Sequence, residues 1–133
     1  MTNPFRDQEK FMRACDQSTD TANYDQFKMY LSLIKEEYNE LLVAQGIDLT
    51  TMDQVNPADP VEVLDALIDI LVVTIGAIHS MGADAEGAWK EVMRTNFAKI
   101  DKDTGKVRKR EDGKVLKPVG WTPPELNKFL TKE

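Results

Sequence analysis

Apolar positions recur at helical spacing through most of the first hundred residues. Phe27, Tyr30, Leu31, Ile34, Tyr38, Leu41 and Leu42 predict a helix over about 24–45, with Gly46 as the residue that ends it. The clearest start signal is Asp59-Pro60-Val61-Glu62, which combines an N-cap, a proline in the first helical position and an acidic residue at N3. The helix it opens runs to about residue 81. Leu64, Leu67, Ile68, Leu71, Val72, Ile75 and Ile78 make it apolar over most of its circumference, so it is expected to lie buried centrally. Two shorter helices flank this pair. Asn3-Pro4 starts one, with Phe5, Phe11, Met12 and Cys15 on its apolar side. Asp84 starts the other, which runs through Trp89, Val92, Met93 and Phe97 to about residue 99, with Trp89 read as core.

The pattern breaks after Ile100. KDTGKVRKREDGKVLKPVGW carries turn signals at Thr104-Gly105 and Asp112-Gly113 and has no helical period, so it reads as a basic loop or loose hairpin. Thr122-Pro123-Pro124-Glu125 offers a capping box for a short final helix. The expected fold is all-α: one domain with a four-helix core over about 4–100 and an irregular basic tail over 101–133. Four helices cover an all-round apolar helix only partly, which predicts a homo-oligomer, either dimer or tetramer.

Charge sharpens this picture. Residues 1–98 hold 7 Lys+Arg against 17 Asp+Glu, a balance of −10; residues 99–133 hold 10 against 6, or +4; together they make the net −6. An acidic body with a basic tail argues against nucleic-acid binding, which uses a broad positive face. It suits a ligand that needs both carboxylates and cations, such as a metal-bound polyphosphate. Cys15 is the single cysteine, so no internal disulfide is possible, and a reducing cytoplasm is the expected location. The N-terminal MTNPFRDQEKF has no apolar signal core. The longest apolar run is interrupted by Glu62, Asp65, Asp69 and His79, so no membrane span is expected.

The acids are concentrated. Glu36 and Glu40 share a helical face at i,i+4, Glu37 and Glu40 adjoin at i,i+3, and Asp65 and Asp69 form an i,i+4 pair on the next helix. Asp69 lies in LIDIL, within the most apolar helix, where an unpaired carboxylate costs several kcal/mol or stays protonated. A divalent cation would relieve both problems, and hard oxygen donors select Mg²⁺ or Mn²⁺. The alternatives are a solvated charged face for Glu36, Glu37 and Glu40, and an ion pair from Lys28, Lys35 or Lys90 for the aspartates. His79 reads as structural.

EEYNE, followed by DALIDILVVTIGAIHSMG, resembles the all-α nucleoside triphosphate pyrophosphohydrolase superfamily, which includes MazG-like, dimeric dUTPase-like and phosphoribosyl-ATP pyrophosphohydrolase-like proteins. NPFRDQEKF, RTNFAKI and EDGKVLKPVGWTPPEL resemble its compact single-domain MazG-like branch. The superfamily motif is EExxE followed by ExxD, which Glu36, Glu37, Glu40 and Asp69 match. The motif's second-helix Glu is Ala66 here, with Asp65 one residue earlier. The resemblance implies hydrolysis of a nucleoside triphosphate between the α- and β-phosphates, with two or more Mg²⁺ or Mn²⁺ ions. It implies Glu37, Glu40 and Asp69 as ligands with Asp65 next, and Glu36 as water-orienting base or further ligand. Asn96, Lys99, Lys114 and Lys117 are the candidates for phosphate or sugar contacts, and Trp121 for a base. Lys102, Lys106, Arg108, Lys109 and Arg110 read mostly as a solvated tail. Phosphoribosyl-ATP as substrate and a non-enzymatic helical binding module are the competing functions.

Overall fold

Helix starts in this chain are set by side chains that satisfy the orphan N–H groups of the first turn. In the computed structural model, which describes residues 3–132, Asn3 Oδ1 accepts from Phe5 N at 2.9 Å and opens α1, Pro4–Ala14. Asn23 Oδ1 accepts from Gln26 N at 3.1 Å and opens α2, Tyr24–Ala44. Asp59 Oδ1 accepts from Val61 N at 3.1 Å and opens α3, Pro60–Ser80. Asp84 Oδ1 accepts from Gly87 N at 2.9 Å and opens α4, Ala85–Phe97. Among the described residues these are the α-helices, and the β structure is confined to isolated bridges. The all-α expectation holds. The chain divides into two bodies, one running to Ala83 and including Thr131 and Lys132, the other Asp84–Leu130.

In the first body α2 and α3 form an antiparallel hairpin. Asn23 N donates to Ser80 O at 2.8 Å at one end, and Asp59 N donates to Ala44 O at 2.9 Å at the other. Both helices have 21 residues, so these ties bring Glu36–Glu40 level with the first half of α3. Gly76 has no side chain because Tyr30 occupies its space: an added Cβ would overlap the tyrosine ring. Tyr30 also donates its hydroxyl to Gln17 Oε1 at 2.5 Å. Met12, Tyr30 and Ala77 form the buried cluster, lined by Phe27, Leu33, Ile34 and Val73.

One burial expectation is corrected here, on α1. On α1, Met12 is buried and Phe5 half-buried, but Phe11 is 62% exposed and Cys15 is exposed. The buried face instead runs through Gln8 and Met12, at i,i+4, and Cys15 already lies beyond the last helical residue. On α3, which four helices were expected to cover only partly, burial concentrates in the second half, at Ile75, Gly76, Ala77, His79 and Ser80, with Ala66 the buried residue of the first half. Its first half leaves Val61 at 75%, Leu64 at 62% and Ile68 at 51% exposed. The reason lies in α1, whose start reaches the C-terminal half of α3: His79 Nε2 and Phe5 O lie 2.8 Å apart.

In the second body the turns fall where the glycines predicted. Asp101 Oδ1 accepts from Asp103 N and Thr104 N, and Gly105 and Gly113 take left-handed φ of 68° and 86°. Bridges Ile100–Val107 and Lys109–Val115 make this a loose hairpin. The expected capping box at Thr122–Glu125 does not open a helix. Glu125 N donates to Glu91 Oε2 at 2.8 Å, and only a 3₁₀ turn, Asn127–Phe129, follows. Consecutive prolines push the preceding residues away from helical angles, which favours this outcome. Trp89, expected in the core, is 56% exposed within the chain.

Candidate active site

The helical hairpin draws carboxylates from two helices into one electrostatic cluster. Glu36, Glu37 and Glu40 come from the middle of α2, Asp65 and Asp69 from the first half of α3. Glu37 is half-buried, and its Oε2 is shielded from solvent without a hydrogen-bond partner. Burial foremost, then a hydrogen bond shared with Glu40, then the charges of Glu40, Asp69 and Glu36 push its carboxyl up to about 7. Asp69 is also half-buried. Burial raises its pKa first, followed by the charges of Asp65 and Glu40. Glu40 thus acts on both buried members, and Asp65 acts on Asp69.

None of the ion pairs formed among the described residues includes any of these five carboxylates. Lys28, one candidate partner, sits 3.7 Å from Asp25 and over the Tyr24 ring. Among the described residues, no group of three or more His, Cys, Asp or Glu side chains is disposed to hold a metal ion as the chain stands. The donor set still fits a hard divalent cation: it is all oxygen, and its most buried oxygen lacks any partner. Ala66, at the motif's Glu position, is 4% exposed, whereas Asp65 beside it is exposed.

Glu36 and Glu40 also border a cavity of about 540 Å³ between the end of α2, the start of α3 and the loop that joins them. Asn39, Asn56 and Leu49 line it, and the sequence pattern did not single them out. The available signal was Gly46, whose φ of 85° lets the loop fold back on the helix end.

The second body groups part of the predicted cationic set. Lys99 donates to Asn96 Oδ1 at 3.3 Å. Lys99 and Lys117 stand 5.3 and 4.7 Å from the Trp121 ring centre, and Trp121 Nε1 donates to Thr95 O at 2.7 Å. Lys99, Lys102, Arg108 and Lys117 line a cavity of about 590 Å³, in which Arg108 is paired with Asp101 at 3.0 Å. Lys114 does not line it. Arg110 is tied to Asp112 at 2.6 Å, and Lys106 and Lys109 are exposed. His79 is buried, as a structural residue would be.

A helical hairpin carrying EExxE opposite an aspartate defines the class of the all-α nucleoside triphosphate pyrophosphohydrolases. The model of the phosphoribosyl-ATP pyrophosphohydrolase family matches residues 6–96, and the chain belongs to that family within this MazG-like superfamily. It is accordingly a pyrophosphohydrolase, a hydrolase of phosphoric anhydrides. No curated protein sequence matches the chain. Among the described residues, no helix is long and apolar enough to cross a membrane.

Proposed function

We propose that the chain hydrolyses (deoxy)nucleoside triphosphates between the α- and β-phosphates, releasing monophosphate and pyrophosphate, in control of cytoplasmic nucleotide pools. The observation that carries this reading is the shielded, partnerless Oε2 of Glu37, in a carboxylate cluster that enters none of the ion pairs among the described residues. Glu37, Glu40 and Asp69 would hold Mg²⁺ or Mn²⁺, with Asp65 supporting Asp69. When bound, the cations neutralise phosphate charge and activate water for in-line attack. Glu36, exposed at the edge of the cluster, orients the attacking water or accepts its proton. The water oxygen bonds to the α-phosphorus as the α–β bridging bond breaks, and pyrophosphate leaves with the electron pair. Lys99, Lys117 and Asn96, with Lys114, are the proposed phosphate or sugar contacts. A homodimer or homotetramer that covers Leu64 and Ile68 is the proposed assembly.

The matched family's description favours a second reading, phosphoribosyl-ATP as substrate, with the same bond cleaved. Incubation with each nucleotide and with phosphoribosyl-ATP, plus Mg²⁺ or Mn²⁺, separates the two by which monophosphate forms. Glu37→Gln and Asp69→Asn should each abolish turnover with the helical circular-dichroism spectrum retained. Turnover of no substrate sinks the proposal, and full activity in both variants shows the site to be misplaced.

A further inference from the structure

The cavity beside Glu36 and Glu40 has a chemistry different from that of the acid cluster. Val43, Ala44, Leu49 and Pro57 give it apolar walls, and Asn39 and Asn56 place two amides on its lining. Its charged lining groups are all carboxylates: Glu36, Glu40, Asp59 and Glu62. Free phosphate oxygens would be repelled there, whereas a neutral flat ring with donor and acceptor edges would not. At about 540 Å³ the cavity lies within the size range of small-ligand sites, roughly 300–1,000 Å³.

Its loop wall is built rather than loose. Gly46 O accepts from both Val55 N at 2.8 Å and Asn56 N at 3.1 Å. Gln54 Nε2 ties Gln45 O at 2.7 Å to Asn56 O at 3.2 Å. A Cβ at Gly46 would overlap the Asn56 carbonyl, so the close approach depends on glycine. These bonds fix the backbone of Asn56 but leave its side-chain amide, and that of Asn39, without a hydrogen-bond partner among the described residues. An Asn amide offers two donors and one acceptor oxygen, which suits a base edge.

We infer that this cavity is the nucleoside subsite, with the base held between Leu49, Val43 and Pro57 and its edge read by Asn39 and Asn56. This deepens the proposed function and rests on the substrate being a nucleotide. Base preference is then set by the loop between α2 and α3, while the neighbouring carboxylates serve the phosphate end.

The test is methyl NMR of the full chain titrated with uncharged deoxyribonucleosides, one per base, without metal. The Val43 and Leu49 methyls should shift and saturate with at least one nucleoside. Asn56→Ala or Asn39→Ala should weaken that binding by about tenfold, the worth of one desolvated hydrogen bond. Leu49→Trp, which fills the cavity, should abolish it. In turnover, the two Asn variants should raise KM and flatten the preference among bases. If the chain cleaves nucleotides while no nucleoside moves these methyls and the base preference survives all three variants, the subsite assignment falls and the proposed function stands. If the nucleosides bind here and no nucleotide is cleaved, the subsite stands and the proposed function falls.

Discussion

Glu37 turns the acid cluster into a measurable stability defect. Its carboxyl is raised from 4.5 to about 7 in the folded chain, chiefly by burial and by Glu40. A raised folded pKa means that the folded state holds the proton more tightly than the unfolded chain. The associated stability is present below pH 4.5 and is lost as pH rises through about 7. A change of that size, at about 1.36 kcal/mol per pH unit, would correspond to a few kcal/mol. Glu37 keeps some contact with solvent, and screening there reduces the expected effect to about 1–2 kcal/mol. Glu37→Gln removes the titrating group while keeping the shape. Thermal melts of both proteins in chelator, from pH 4.5 to 8, should show the variant gaining on the parent by that amount, about 3–8 °C in Tm for a chain of this size. Saturating Mn²⁺ at pH 7.5 should reverse the order, because a ligand that binds only the folded state stabilises the protein that binds it better. A Tm difference that stays flat across the pH range would refute the assignment of the strain to Glu37. A parent that gains on the variant with rising pH in chelator would refute it equally.

Four further outcomes follow from other parts of the molecule. Calorimetry with Mn²⁺ should show saturable uptake that Glu40→Ala removes; a non-enzymatic module with a merely solvated acidic face should show none. Gly76→Ala drives a methyl group into the Tyr30 ring and should cost about 1–3 kcal/mol in chemical denaturation, and an unchanged midpoint would show that the hairpin contact yields freely. His79 has a pKa lowered mainly by burial, and its Nδ1 has no partner. Folding stability should therefore be intact above pH 6.5 and fall below it as the unfolded chain takes up the proton, and His79→Phe should flatten that loss in acid melts. Ile68→Glu, on the exposed first half of α3, should shift the sedimentation profile to monomer if this face joins copies of the chain, and no shift would place the interface elsewhere.

What the sequence revealed and what it hid follow from the range of the interactions involved. Asn3, Asp59 and Asp84 each cap a helix through bonds to N–H groups two or three residues on, so these helix starts were legible from local pattern, whereas the start of α2 was read from its apolar spacing and its Asn23 cap was missed. The box at Thr122 failed because a contact 34 positions away, Glu125 N to Glu91, competed with it. Burial on α1 erred for a related reason: periodicity identifies an apolar face but not which part of it a neighbour reaches, so Phe11 and Cys15 were placed inside while Gln8 and Met12 carry the contact. The carboxylate pattern was visible because its i,i+3 and i,i+4 spacings are local. That Glu37 would be the strained member was not, since it depends foremost on how deeply the packing of the hairpin buries it. The Ala66 departure also gains a physical basis. Ala66 is nearly fully enclosed, and a glutamate there would add another carboxylate to a region where Glu37 already titrates near 7. Asp65, exposed one position earlier, keeps an acid beside Asp69 while leaving the enclosed position to a small side chain. The second-helix charge therefore sits outward of the helix contact, with Asp65 exposed and Asp69 half-buried beside it.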